Sequence, residues 1–173
     1  MALTARERKR RQVERERAEL RETPDSTYPF LKTPFFEHIE DDGNWSNVDM
    51  CFDLIGVHPP MFEDDRGPKD HVAPDVFDED TLDAQFGIYS GSIGRAEIMV
   101  GILLDAAANM AFVINRYKQE ELRRRLAEIE EGEFADPASR KKAFEDAVRI
   151  QKMLEALQRE TRRSLPQWEV KGI

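Results

Sequence analysis

Apolar residues crowd into one stretch of this chain. Ala96–Ile114, AEIMVGILLDAAANMAFVI, would carry large apolar side chains around the whole circumference of a helix. A helix with no polar face is enclosed by protein or lies in lipid. Glu97, Asp105 and Asn109 interrupt the run. The uninterrupted pieces fall far short of the roughly 20 residues a membrane span needs. The pattern therefore predicts a central helix enclosed by protein, with no membrane partner. Gly94, Gly101 and Ala108 recur every seven residues and form a small-residue stripe that admits a close neighbour. Leu104 and Phe112 belong to the same predicted interface.

Beyond Asn115 the pattern narrows. Leu122, Leu126 and Ile129 make one stripe, with Arg123, Arg124, Arg125, Glu128 and Glu130 around it. The spacing predicts a first helix from about Ile93 to Glu131, closed by Gly132. Asp136 is placed as an N-cap and Pro137 as the first residue of a second helix. That helix is expected to run to about Leu165. Its apolar face is Ala147, Ile150, Leu154 and Leu157, widened by Phe144, Val148 and Met153. A connector this short favours antiparallel neighbours. At about 1.5 Å per residue the first helix is near 58 Å long, so its polar half is expected to project as a coiled-coil arm. The fold class expected is mainly α: a long antiparallel helical hairpin, an irregular acidic segment and a charged N-terminal helix.

Four segments follow: 1–23, 24–92, 93–165 and a tail, 166–173. Charge divides along them. Residues 1–23 hold eight Lys/Arg and five Asp/Glu, residues 24–92 hold three and sixteen, and residues 93–173 hold fifteen and fourteen. A basic arm, an acidic middle and a near-neutral helical half suggest different tasks. In the arm, Thr4 and Glu7 fit a capping box and Pro24 ends the helix. Only Val13 and Leu20 are large and apolar there, so a solvated helix with pairs such as Glu7–Arg11 is expected. Residues 24–40 carry three prolines with Tyr28, Phe30, Phe35 and Phe36. Proline pushes its predecessor to extended geometry, so this segment reads as a strap across an apolar surface. Residues 41–92 are broken by Pro59, Pro60, Gly67, Pro68 and Pro74, with a short helix or strand at Val48–Ile55.

Candidate chemistry is thin. The lone Cys51, between Met50 and Phe52, reads as a core residue and excludes an intramolecular disulfide or a Cys-based zinc site. His38 lies among Glu37, Glu40, Asp41 and Asp42, but the stretch around Gly43 does not fit a calcium loop. Gly87, Gly91 and Gly94 precede a helix without the Gly-Lys-Ser/Thr of a phosphate loop. No catalytic residue, metal site or cofactor is assigned. With no apolar leader behind the Arg-rich start, an intracellular, cytoplasmic setting is expected.

The opening Leu3-Thr4-Ala5-Arg6-Glu7-Arg8-Lys9-Arg10-Arg11 resembles the "LT-x-x-ER-x-x-R" openings of small phage and plasmid proteins. The overall plan resembles the small terminase subunits of tailed phages. That resemblance implies a ring built from helical hairpins, with charged termini that engage DNA and the large terminase. Such proteins often carry a helix-turn-helix before the hairpin, and residues 24–92 show none. The arm supplies the candidate DNA contacts: Arg6, Arg8, Lys9, Arg10, Arg11, Arg15, Arg17 and Arg21. The expectation is a non-enzymatic homo-oligomeric adaptor of a phage or mobile element, of the kind used in DNA packaging, with DNA or a larger protein as partner. The alternative is a regulatory module whose acidic middle engages a basic protein. A third reading is a carboxylate- or metal-dependent enzyme using residues 37–83.

Overall fold

The computed structural model describes residues 4–72, 77–134, 136–161 and 164–172. Six α-helices follow in order: α1 Ala5–Arg21, α2 Phe35–Glu40, α3 Trp45–Leu54, α4 Glu79–Phe86, α5 Gly91–Glu131 and α6 Pro137–Leu157. Two 3-10 turns, Tyr28–Phe30 and Pro68–His71, join them, and no strand occurs among the described residues. The protein is mainly α. The chain divides into two compact units, Met1–Gly101 with Gln167–Ile173, and Ile102–Pro166.

In the first unit, α1 opens on the capping box. Glu7 N donates to Thr4 Oγ1 at 3.3 Å, and Thr4 N donates to Glu7 Oε2 at 2.7 Å. Glu7 is thereby turned away from Arg11. The side-chain pairs observed instead are Arg10–Glu14 at 3.4 Å and Gln12–Glu16 at 2.9 Å. Prolines restrict the strap to the 3-10 turn and the short α2, whose Ile39 is buried. Phe35, Trp45 and Phe62 meet edge to face, with centroids 5.4–6.1 Å apart. The Arg95 guanidinium sits 4.6 Å over the Phe62 ring. Cys51 is exposed, not part of the core: α3 turns Trp45, Val48 and Phe52 inward and leaves Cys51 on its outer side.

The second unit contains the hairpin helices. Asp136 caps α6, accepting from Ala138 N and Ser139 N at 2.9 Å each, with Pro137 in the first turn. Ala143, Ile150 and Leu154 are buried, while Asn115, Gln119, Leu122, Leu126 and Ile129 of α5 are half-buried. Asn115 Nδ2 donates to the Leu157 carbonyl at 2.8 Å, which places the end of α6 opposite Asn115 and makes the pair antiparallel. Helix α6 ends at Leu157, eight residues earlier than expected; Arg162 and Arg163, within the expected extension, lie outside the described residues. Phe144, Val148 and Met153 are exposed and do not widen the buried face, because a stripe repeating at four and three residues already fills it.

Candidate functional site

Helix α5 starts from a firm base. Gly91 adopts φ +65°, a left-handed turn that suits glycine. Asp65 Oδ1 then caps the helix, accepting from Ser92 N at 2.8 Å and Ser92 Oγ at 2.6 Å. Ser92 is wholly buried and also accepts from Phe36 N at 3.2 Å. Phe36 is thus tied to α5, as a strap residue should be, and Phe35 joins the aromatic trio. Phe30 of the same segment stays 79% exposed.

The stretch Ile102–Ile114 is exposed at every position. Its large residues are 40–65% exposed, with Phe112 and Met110 the most open. The protein expected around this helix is not supplied by α6 or by any other described part of the subunit. The reason is length: α6 ends opposite Asn115, the residue that borders this stretch. The half-buried α5 stripe 115, 119, 122, 126, 129 repeats at four and three residues. Continued toward the N-terminus, it runs through Phe112, Ala108, Asp105 and Gly101. Leu122 and Leu157 line one groove with Met153; Leu126 and Ile129 are half-buried and Ile150 and Leu154 buried, while Leu104, Ala108 and Phe112 stand open.

The three small residues of the predicted stripe have different surroundings. A Cβ on Gly94 would lie 2.9 Å from the Tyr89 carbonyl carbon, so Gly94 is needed for packing within its own unit. A Cβ on Gly101 would meet nothing within 4 Å. Ala108 is exposed.

On α1, Arg8, Arg11 and Arg15 lie on one exposed face with Gln12 between them. Arg6, Lys9 and Arg10 are exposed elsewhere on the helix, and Arg10 pairs with Glu14. The side chains of Arg17 and Arg21 lie outside the described residues. No group of three or more His, Cys, Asp or Glu able to hold a metal occurs among the described residues. His38 Nε2 lies 3.7 Å from Asp42 Oδ2.

Sequence reasoning missed a buried polar cluster in the first unit. Tyr28 Oη donates to Glu97 Oε2 across 69 residues of sequence. Glu97 and Asp25 are both buried. Burial pushes the Glu97 carboxyl up to about 7; the Tyr28 hydrogen bond opposes this, and the neighbouring Asp25 and Glu169 charges add to it. Burial also pushes Asp25 upward, but hydrogen bonds from Thr27 and Val170 outweigh it and hold Asp25 below its ordinary value. Tyr89 is pushed up to about 12 by burial and by Glu169. No periodicity signals this cluster, because its members come from four separate segments.

No family model, curated protein or solved structure matches this chain.

Proposed function

We propose that the protein is a non-enzymatic homo-oligomeric scaffold in which Ile102–Ile114 of several copies pack together. The observation that carries this reading is the open, all-round apolar stretch of α5. At exposures of 40–65%, its seven large side chains with the alanines between them present on the order of 700 Å² of apolar surface. The largest patch on a typical monomer is about 300–600 Å², whereas a specific interface buries about 800 Å² per partner. A second copy is the favoured occupant because the stripe that α6 covers beyond Asn115 continues into the open stretch. Helix against helix is thus already its mode of packing. The clear space at Gly101 supports a close neighbour, since an interior helical glycine costs about 1 kcal/mol and no contact among the described residues calls for one.

Lipid is the other cover for such a helix, and α5 is long and apolar enough to cross a membrane by length and composition. The eight Leu, Ile, Val and Phe residues between Ile98 and Ile114 would favour insertion by roughly 2–5 kcal/mol in total. Asp105, near the middle, would cost about 2.5–3.5 kcal/mol, and Asn109 adds to that. Insertion thus gains little, whereas a protein interface lets Asp105 and Asn109 find partners. The exposed arginine face of α1 is then the surface for a polyanion such as DNA.

Light scattering on a size-exclusion column, at low and high salt, tests this reading. A salt-resistant oligomer is expected. A strict monomer at tens of micromolar refutes it, and a monomer that floats with phosphatidylcholine vesicles assigns the stretch to lipid.

A further inference from the structure

We propose that Glu97 is a proton-controlled lock for the C-terminal segment Gln167–Gly172: docked while Glu97 is protonated, loosened when it ionises. The segment returns to the first unit and is held there by a short chain of hydrogen bonds. Ser26 N donates to the Val170 carbonyl at 2.7 Å, and Val170 N donates to Asp25 Oδ2. Asp25 is the hub of a tight turn, accepting from Thr27 N at 2.7 Å and Thr27 Oγ1 at 2.5 Å, while Tyr28 N donates to its carbonyl at 3.3 Å. Tyr28, the next residue, donates its hydroxyl to Glu97. Glu97, Tyr28, Asp25 and Val170 therefore form one connected path from α5 to the tail.

The charges around that path are unbalanced. The groups facing Glu97 are Tyr28 and Asp25 from the strap, Tyr89 from the turn before α5, and Glu169 and Lys171 from the tail. Two are carboxyls, two are tyrosines and one is a cation. Lys171 is already engaged, 3.8 Å from Glu169 and 5.5 Å from the Tyr89 ring centroid. With Asp25 ionised and bound to Val170, a proton on Glu97 keeps the buried pair from repelling. Loss of that proton leaves two buried carboxylates facing Glu169. Moving the tail away removes the Glu169 charge and lets water reach Glu97. The tail is the element to yield because the described bonds that hold it are few: one through the Val170 carbonyl to Ser26 N, one from Val170 N to the Asp25 carboxylate, the Tyr89–Glu169 hydrogen bond and the Lys171 contacts.

The sign follows from linkage. Glu97 titrates near 7 when docked, against 4.5 for an ordinary glutamate. Docking thus takes up a proton and weakens as pH rises from about 4.5 through 7, then levels off. With full recovery of the ordinary value on release, the docking equilibrium falls about tenfold between pH 6 and pH 8.

Amide hydrogen exchange of the full chain at Val170 and Ser26 reads this directly, after correction for the intrinsic pH dependence of exchange. Protection should fall by up to about tenfold from pH 6 to pH 8 in the wild type. Glu97→Gln, which keeps an acceptor for Tyr28 without a charge, should stay docked at both. Tyr28→Phe removes the donor that steadies the carboxylate and should move the midpoint to higher pH. Unchanged wild-type protection across this range overturns the proposal. So does a Glu97→Gln variant that loosens as the wild type does, or a Tyr28→Phe midpoint that stays in place or falls.

Discussion

Replacing Gly101 separates the stability of the subunit from that of the assembly. Within one chain the added Cβ of Gly101→Ala meets nothing within 4 Å, so no clash offsets the gain in helix propensity. That gain is about 0.8–1 kcal/mol. The isolated subunit should therefore become more stable by roughly that amount. In the assembly the same carbon sits where a neighbouring helix comes close. Gly101→Leu adds three more carbons, and overpacking of this kind costs about 1–3 kcal/mol per site, or roughly a 5- to 150-fold weaker association. Gly94→Ala is the contrast: its Cβ would lie 2.9 Å from the Tyr89 backbone, so the subunit itself should lose stability. The assay pairs sedimentation equilibrium over a dilution series with urea unfolding at a concentration where the wild type has dissociated. Opposite changes in the two measurements are expected for Gly101→Leu. If Gly101→Leu associates as tightly as the wild type, Gly101 has no close neighbour and the interface lies elsewhere. If it destabilises the dissociated subunit as Gly94→Ala does, the clearance around Gly101 has been misjudged.

Asp136→Ala removes the cap of α6 and should lower the urea midpoint at pH 7. The Ser139 hydrogen bonds hold the Asp136 carboxyl below its ordinary 3.8. Its contribution is therefore present above that pH and lost as pH falls further, so variant and wild type should converge in strong acid; a constant difference would count against the cap. Replacing Arg8, Lys9, Arg10 and Arg11 with Ala should leave the circular dichroism spectrum of the fold essentially unchanged, since all four are exposed, and should abolish DNA binding in a fluorescence titration. Retained binding with the wild-type salt slope would show that α1 is not the contact.

Local features were legible in the sequence because they depend on neighbours a few residues away. Thr4 with Glu7, and Asp136 with Pro137, mark helix starts from side-chain chemistry alone, and both formed. The α6 stripe Ile150–Leu154–Leu157 was readable from its period. Face width was not: Phe144 looks like part of that stripe yet stands 71% exposed, because helical period ranks faces without counting how many a single neighbour can cover.

What covers the apolar helix is hard to read from sequence for the same reason. An all-round apolar helix states a need for cover without naming the cover. The end of α6 opposite Asn115 leaves that need unmet within the described chain. Glu97 shows the converse. In sequence it is a polar break that argues against lipid. In the fold it is buried, because Tyr28, 69 residues away, gives it a donor and Asp25 ties that donor to the tail. A buried carboxyl is tolerated where a partner meets it, and such partners come from tertiary packing that no period encodes. The same test applies to Asp105 and Asn109. Both lie exposed in the midst of the apolar stretch, with Asn109, among the described residues, bonded to its own helix at the Asp105 carbonyl. If the copies pack there, these two side chains must be paired across the interface, and they are the residues that would set its register.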